Sequence, residues 1–221
     1  MNIPLTDAHT HFRYPQNGEV KFVRNAFLLK TAGSLPYNVC CGIHPWFVRE
    51  QWRDDVDLLK QLAAHYNVAA IGECGLDYLR PVPKALQHEA FAAQIALANE
   101  LSKPLVLHIV KAYHDLPQFL KAAKTPFVLH AYNGSSEQTM QLLNYNVLFS
   151  IGTRMLQNPE KLEEILQNIP HDKLLFETDT RRSGLQQLYS KAAQNYKCEE
   201  AELRKQVFRN FAATFLLNEP I

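Results

Sequence analysis

Two histidines one residue apart, His9 and His11, close the first apolar stretch of the chain, Pro4-Leu5-Thr6-Asp7-Ala8-His9-Thr10-His11. In an extended segment residues i and i+2 face the same way, so both imidazoles can reach one ion. The pattern of a short apolar run followed by a residue able to bind metal then recurs. His44, Glu73, His108 and His130 each follow such a run, and Glu177 and Asp179 follow the last one. Five of the nine histidines fall at these positions, which sets them apart from His65, His88, His114 and His171, read as solvated positions on helices or in loops. Imidazole combined with carboxylate oxygen is a donor set that Zn, Mn, Fe or Ni accepts, whereas Mg usually prefers oxygen. Histidines and carboxylates converging on one face suit a pair of ions with a bridging carboxylate. Such a pair activates a shared water and clamps the attacking and leaving oxygens of a displacement. The implied reaction is hydrolysis, with phosphate esters as the natural substrate and amides or lactones open to the same chemistry.

Elements that could hold these residues on one face follow from the apolar runs. Strands are predicted near 3–8, 20–28, 38–43, 68–73, 104–109, 126–131, 146–151 and 173–178, most of them rich in Val, Ile, Leu and Phe with little alternation, as strands buried on both faces should be. Amphipathic segments between them predict helices over Asp54–Tyr66, Pro83–Leu101, Ala112–Ala123, Ser135–Leu143 and Pro159–Asn168, with a last one over Glu199–Leu217. Alternation of this kind calls for parallel pairing. A count of eight favours an α/β fold of the (β/α)8 TIM-barrel type, in which the functional groups come from the carboxyl ends of the strands. The first βα unit is shortened, because no convincing helix precedes the candidate strand Val20–Leu28. The barrel is thus a compact variant.

Composition sets the outer limits. At 221 residues, 47% hydrophobic and 20% charged, the chain can bury a full core and is read as one domain over 1–221. A net charge of +1 neither requires nor excludes a nucleic acid, since a basic patch can sit within a neutral total. No run reaches the length of a membrane span and the amino terminus lacks the regions of a signal peptide, so a cytoplasmic protein with no membrane partner is expected. Cys40, Cys41, Cys74 and Cys198 form no CxxC pair and are read as reduced core thiols.

Six ordered segments carry a resemblance that runs through nearly the whole chain. They are Asp7-Ala8-His9-Thr10-His11, Gly42-Ile43-His44-Pro45, Gly72-Glu73-Cys74-Gly75-Leu76-Asp77-Tyr78, Pro104-Leu105-Val106-Leu107-His108, His130-Ala131-Tyr132-Asn133-Gly134 and Glu177-Thr178-Asp179. In these the sequence resembles the TatD-type metal-dependent deoxyribonucleases of the amidohydrolase superfamily, and Asn210-Phe211 followed by Phe215 looks like their C-terminal helix. The resemblance implies one or two divalent ions (Zn, Mn, Mg, Fe or Ni). It gives His9, His11, Glu73 and Asp179 to one ion and Glu73, His108 and His130 to the second, with Glu73 as bridge and catalytic residue. It makes Asp179 the group that takes the proton from the attacking water, and it turns His44 toward the substrate phosphate.

The chain departs from the family pattern where substrate would bind. Val110 and Lys111 stand where an arginine and then an acidic residue are usual, and Thr180-Arg181-Arg182-Ser183-Gly184 replaces the family's usual continuation after the last aspartate. Lys111, Arg154, Arg181 and Arg182 are therefore the candidate substrate contacts beside His44, forming a basic mouth suited to phosphate. The expected function is a metal-dependent hydrolase of the TatD type, a phosphodiesterase or deoxyribonuclease using a metal-activated water, with DNA or another phosphoester as its partner. The alternatives are a metallohydrolase of a small phosphoester, amide or lactone, and a non-catalytic family member that binds metal or nucleic acid.

Overall fold

The computed structural model describes residues 3–15, 18–28, 38–64 and 67–215. Its eight strands are β1 (Leu5–Thr10), β2 (Val20–Phe27), β3 (Val39–Gly42), β4 (Val68–Asp77), β5 (Leu105–Val110), β6 (Phe127–Leu129), β7 (Val147–Gly152) and β8 (Leu174–Glu177). The helices are α1 (Trp52–Ala63), α2 (Lys84–Leu101), α3 (Leu116–Leu120), α4 (Ser136–Leu142), α5 (Pro159–Asn168), α6 (Leu185–Tyr196) and α7 (Glu200–Phe215). The strands follow one another in chain order through a single sheet, and a parallel bridge between Thr10 and Asp179 returns the end of β8 to β1. This is the (β/α)8 barrel class. Among the described residues no helix lies between β1 and β2, in keeping with a shortened first unit.

The chain forms two compact units, Met1–Arg24 with His130–Ile221, and Asn25–Leu129. In the first, the backbones of β1 and the segment after β8 interlock: Asp179 N–H donates to the His9 carbonyl at 2.9 Å and His11 N–H donates to the Asp179 carbonyl at 3.0 Å. Asp7 fastens the same seam from within. Its carboxylate accepts from Thr178 N–H at 3.0 Å, Thr178 Oγ1 at 2.6 Å and the Tyr14 hydroxyl at 2.8 Å. Complete burial pushes its pKa up to about 7 despite those donors. From the far side, Asn210 of α7 donates through Nδ2 to the carbonyls of His171 and Leu174, tying the last helix to the start of β8.

The second unit pairs β3, β4, β5 and β6 in parallel. Two buried glutamines of α2, seven residues apart on one face, satisfy backbone groups of the segments that carry the functional residues. Gln94 bridges both backbone groups of Ile43 at 2.7 and 3.2 Å, and Gln87 bridges both of Asp77 at 2.7 and 3.0 Å. Glycine is required where β3, β4 and β5 come together. Gly72 has φ of +143°, a Cβ there would lie 2.3 Å from the Val106 carbonyl oxygen, and a Cβ on Gly42 would strike the Gly72 backbone at 2.6 Å.

Several expected boundaries move, each for a local reason. The strand expected at 68–73 runs on to Asp77, because Gly75, Leu76 and Asp77 pair with His108, Ile109 and Val110. The strand expected at 3–8 is displaced to 5–10, which puts His9 inside β1 instead of beyond it. The helix expected over Ala112–Ala123 shrinks to Leu116–Leu120, led by Pro117 and preceded by a turn at Tyr113–Asp115. Helix α6 was not anticipated. It starts at the left-handed Gly184 without a side-chain cap, and its buried stripe of Leu185, Leu188, Tyr189 and Ala192 is interleaved with polar residues. Tyr66 and Leu217, predicted helix ends, lie outside the described residues.

Gly72→Ala combines a disfavoured φ with an overlap on backbone, terms of about 1–3 kcal/mol each. Thermal unfolding followed by circular dichroism is expected to show a Tm lower by roughly 4–24 °C, from about 2–6 kcal/mol in total at roughly 2–4 °C per kcal/mol for a chain of this size. A Tm within a degree or two of the parent would contradict the close approach.

Candidate metal centre

The functional side chains sit in the carboxyl halves of the strands or just beyond them, and left-handed residues turn the chain out at three strand exits. Lys111, Ala131 and Asp179 have φ of 52°, 48° and 51°, directly after β5, after His130 and after β8. For non-glycine residues this conformation carries a cost that surrounding structure must hold in place. At Asp179 the two backbone bonds to β1 do so.

In the first unit one ligand atom each from His9, His130 and Asp179 lies within 4.8 Å of the others, a spacing that could hold an ion. His11 joins them: its ring is 5.3 Å from that of His9, as the i, i+2 spacing requires, and its Nε2 is 3.4 Å from Asp179 Oδ1. The His9 and His130 rings are 4.5 Å apart. Burial pushes the Asp179 carboxyl up, but the hydrogen bond from His11 and the imidazoles of His130, His9 and His11 outweigh it and hold the group below the usual carboxylate range. Glu177, completely buried, serves the group from behind. Its Oε1 accepts from His130 Nδ1 at 3.0 Å and from Ala131 N–H at 2.8 Å, and Ser150 donates to Oε2. With Nδ1 carrying its proton toward Glu177, Nε2 of His130 is left as the lone-pair donor.

In the second unit Glu73, His44 and His108 form a group of the same kind. His108 Nδ1 lies 3.2 Å from Glu73 Oε1, while its Nε2 lies 3.2 Å from Asp77 Oδ2. Asp77 does for His108 what Glu177 does for His130, leaving Nδ1 as the atom that could hold a metal. Asn25 donates to Glu73 Oε2 at 2.8 Å and fixes that carboxylate. Burial raises the Asp77 carboxyl, but the Trp46 indole, the Leu79 backbone and His108 bring it below the usual range. His44 differs from His108. Pro45 opens a tight turn in which His44 Nδ1 accepts the Trp46 N–H at 3.1 Å, so a neutral ring carries its proton on Nε2, 3.3 Å from Glu73 Oε1. His44 is therefore a hydrogen-bond donor beside the ligands, the chemistry of a phosphate contact.

The remaining candidates divide by exposure. Lys111, Arg154 and Arg182 are exposed and Arg181 is half-buried, each just beyond a strand carboxyl end. The Arg182 guanidinium stacks 4.5 Å from the Phe12 ring. Of the four histidines read as solvated, His114 is 67% exposed, but His88 is not free: its Nε2 lies 2.6 Å from the Tyr78 hydroxyl and 3.7 Å from Asp115. His171 stacks on Tyr196 with centroids 4.1 Å apart, and His65 lies outside the described residues. Cys40, Cys41 and Cys74 are buried free thiols, whereas Cys198 is only half-buried. The orienting groups Asp7, Asp77, Asn25 and Trp46 were missed by spacing, since none sits at a ligand position. A usable signal was Asp77, four residues beyond Glu73 in a strand that continues to it.

A barrel whose strand ends carry paired imidazole and carboxylate donors is the architecture of a metal-dependent hydrolase. The comparisons narrow this. The sequence model of the family described as TatD related DNase matches residues 19–218, and the chain belongs to that family. An uncharacterized metal-dependent hydrolase, YabD of Bacillus subtilis, is 37% identical over 62% of this chain and 56% of its own length. The 3′-5′ ssDNA/RNA exonuclease TatD of Pantoea ananatis is 37% identical over 62% of this chain and 55% of its own length. The chain thus spans about half the length of the curated relatives it matches. YjjV, a TatD homologue of Escherichia coli K12, superposes with a TM-score of 0.82 over the full length of both chains at 21% identity, which establishes the shared fold.

The orienting carboxylates generate a prediction. Glu177→Gln and Asp77→Asn keep side-chain volume but weaken the hold on His130 and His108. Each is expected to lower affinity for Zn or Mn by about 10–100-fold with a native far-ultraviolet spectrum. Isothermal titration of metal into the chelator-treated protein measures it, and unchanged affinity in both variants would remove the orienting role.

Proposed function

We propose that the chain, acting as one hydrolase domain over 1–221, cleaves phosphodiesters with water activated by one or two divalent ions, its substrate being the 3′ end of a nucleic acid. The observation that carries this reading is the pairing of two of the ligand imidazoles with a buried carboxylate on the other nitrogen, His130 with Glu177 and His108 with Asp77. Such second carboxylates fix tautomer and ring direction for metal. Family membership and the exonuclease named among the relatives support the phosphodiester. The imidazole-rich donor set suits Zn, Mn, Fe or Ni better than Mg.

Each side chain then has a task. His9, His11, His130 and Asp179 would hold metal in the first unit, and Glu73 and His108 would hold it in the second. When bound, a divalent ion supplies Lewis acidity, making water more acidic and offsetting phosphate charge. Asp179, kept ionised by its imidazole neighbours, takes the proton from the attacking water through its carboxylate. His44 donates from Nε2 to a phosphate oxygen. Lys111, Arg154, Arg181 and Arg182 supply positive charge where the polyanion arrives. No described helix is long and apolar enough to cross a membrane. The buried free thiols of Cys40, Cys41 and Cys74 support residence in the reducing cytoplasm.

Loss of Glu73, Asp179 or His108 tests the assignment. Each alanine variant is expected to retain at most about one hundredth of the parental rate on a 3′-labelled single strand, because general-base contributions are typically about 10²–10⁴-fold. The fold should survive, since none of these polar side chains belongs to the apolar core. An Asp179→Ala enzyme keeping a tenth of the rate would refute the base, and parent protein inert on every phosphodiester with metal bound would refute the function. The Arg181→Ala, Arg182→Ala double variant is expected to raise KM and flatten the dependence of KM on salt at constant metal content. Phosphate contacts contribute about 1.5–3 kcal/mol when desolvated and less when exposed. Identical salt profiles would leave the two arginines without a part in binding.

A further inference from the structure

Trp46 and Phe47 follow His44 directly, and both are left in solvent, 41% and 51% exposed. Among the described residues they are the exposed tryptophan and phenylalanine, in a protein that otherwise buries these types at least in part. The turn Pro45–Phe47 that orients His44 is what presents them. Trp46 is also held in one orientation. Its indole Nε1 donates to Asp77 Oδ2 at 2.5 Å, and the Arg80 guanidinium lies 3.7 Å from the ring centroid. Both rings adjoin the candidate ligands: Trp46 is 4.9 Å from the His44 ring and 5.9 Å from that of His108, and Phe47 is 5.8 Å from His44. The surface thus combines an aromatic face, a half-exposed guanidinium and an imidazole donor in one turn.

We propose that Trp46 and Phe47 form the seat of a nucleobase, on which the terminal base of a single-stranded substrate stacks while its phosphate reaches His44. This rests on the phosphodiesterase reading and adds its specificity-determining residues. A duplex hides its bases within the stack, whereas an unpaired base offers a π-face that aromatic side chains and guanidinium planes accept regardless of sequence. The chemistry fits a nucleotide better than a protein partner, because the exposed aromatic area is bordered by the Arg80 cation and by His44, a donor suited to phosphate. The placement beside metal ligands explains why two apolar rings stay exposed where a core position would shelter them. Phe47 is the cleaner probe, since Trp46 also holds Asp77, the partner of His108.

The test compares the metal-loaded parent, Phe47→Ala and Phe47→Tyr on two oligonucleotides, one with an intact 3′-terminal base and one with an abasic 3′-terminal residue. For the intact strand, Phe47→Ala is expected to raise KM between about fivefold and a hundredfold with kcat within about twofold, and Phe47→Tyr to restore it, as stacking losses of this class do. On the abasic strand the parent should show the same increase and Phe47→Ala no further one. Fluorescence anisotropy in the Asp179→Ala background reads binding apart from cleavage. Phe47→Ala matching the parent on the intact strand, or an abasic end costing the parent nothing, would overturn the base seat while leaving phosphodiester cleavage standing. Base-dependent binding that Phe47→Ala abolishes, in a parent that cleaves no phosphodiester, would uphold the seat and refute the catalytic reading.

Discussion

An imidazole binds metal only through an unprotonated nitrogen, so a histidine-rich centre depends on something else owning the other nitrogen. In this protein that owner is a buried carboxylate, Glu177 for His130 and Asp77 for His108. Burying a carboxylate is costly unless its oxygens are satisfied, and the surrounding structure is arranged to do so. Ser150 and the Ala131 N–H complete Glu177, while Trp46, the Leu79 N–H and His108 complete Asp77. The strand ends, their left-handed exits and the turn at Pro45 can be understood as the means of bringing these donors to those oxygens.

A further layer of polar residues holds the strand ends themselves. Asp7 joins β1 to the segment that carries Asp179, and Gln87 and Gln94 bind the backbone at Asp77 and Ile43. Parallel strands end in a row of backbone groups with no continuing partner, and a buried group left so would cost about 1–3 kcal/mol. Side-chain amides and a carboxylate answer these groups at the positions where functional side chains emerge. Precision at the centre therefore derives from residues that are not among the candidate ligands.

The same economy gives the turn after β3 two uses. Pro45 and the Trp46 N–H fix the tautomer of His44, and the turn that results leaves Trp46 and Phe47 in solvent. Basic side chains follow β5, β7 and β8, where their charge stays outside the core. Exposure separates their energetic weights. Arg182, exposed and stacked on Phe12, gains little from an ion pair in water, while half-buried Arg181 is less screened by solvent.

Much of this was legible in the linear chain, and the reason is periodicity. Strands buried on both faces are continuous apolar runs, so β2, β3, β5, β7 and β8 could be placed within a residue or two, and the positions of His44, His108 and Asp179 followed with β3, β5 and β8. The i, i+2 spacing of His9 and His11 by itself determined that their rings would share a face. Helix α6 escaped because its start has no capping side chain and its apolar stripe is diluted by glutamines, so only packing against β1 through Tyr189 and Thr6 reveals its role. The onward run of β4 to Asp77 also depended on pairing with β5, which no local propensity encodes. The tautomers of His130, His108 and His44, and the exposure of Trp46 and Phe47, were decided by the tertiary structure alone, because each depends on groups brought together from distant positions or on a turn whose surroundings set what stays in water.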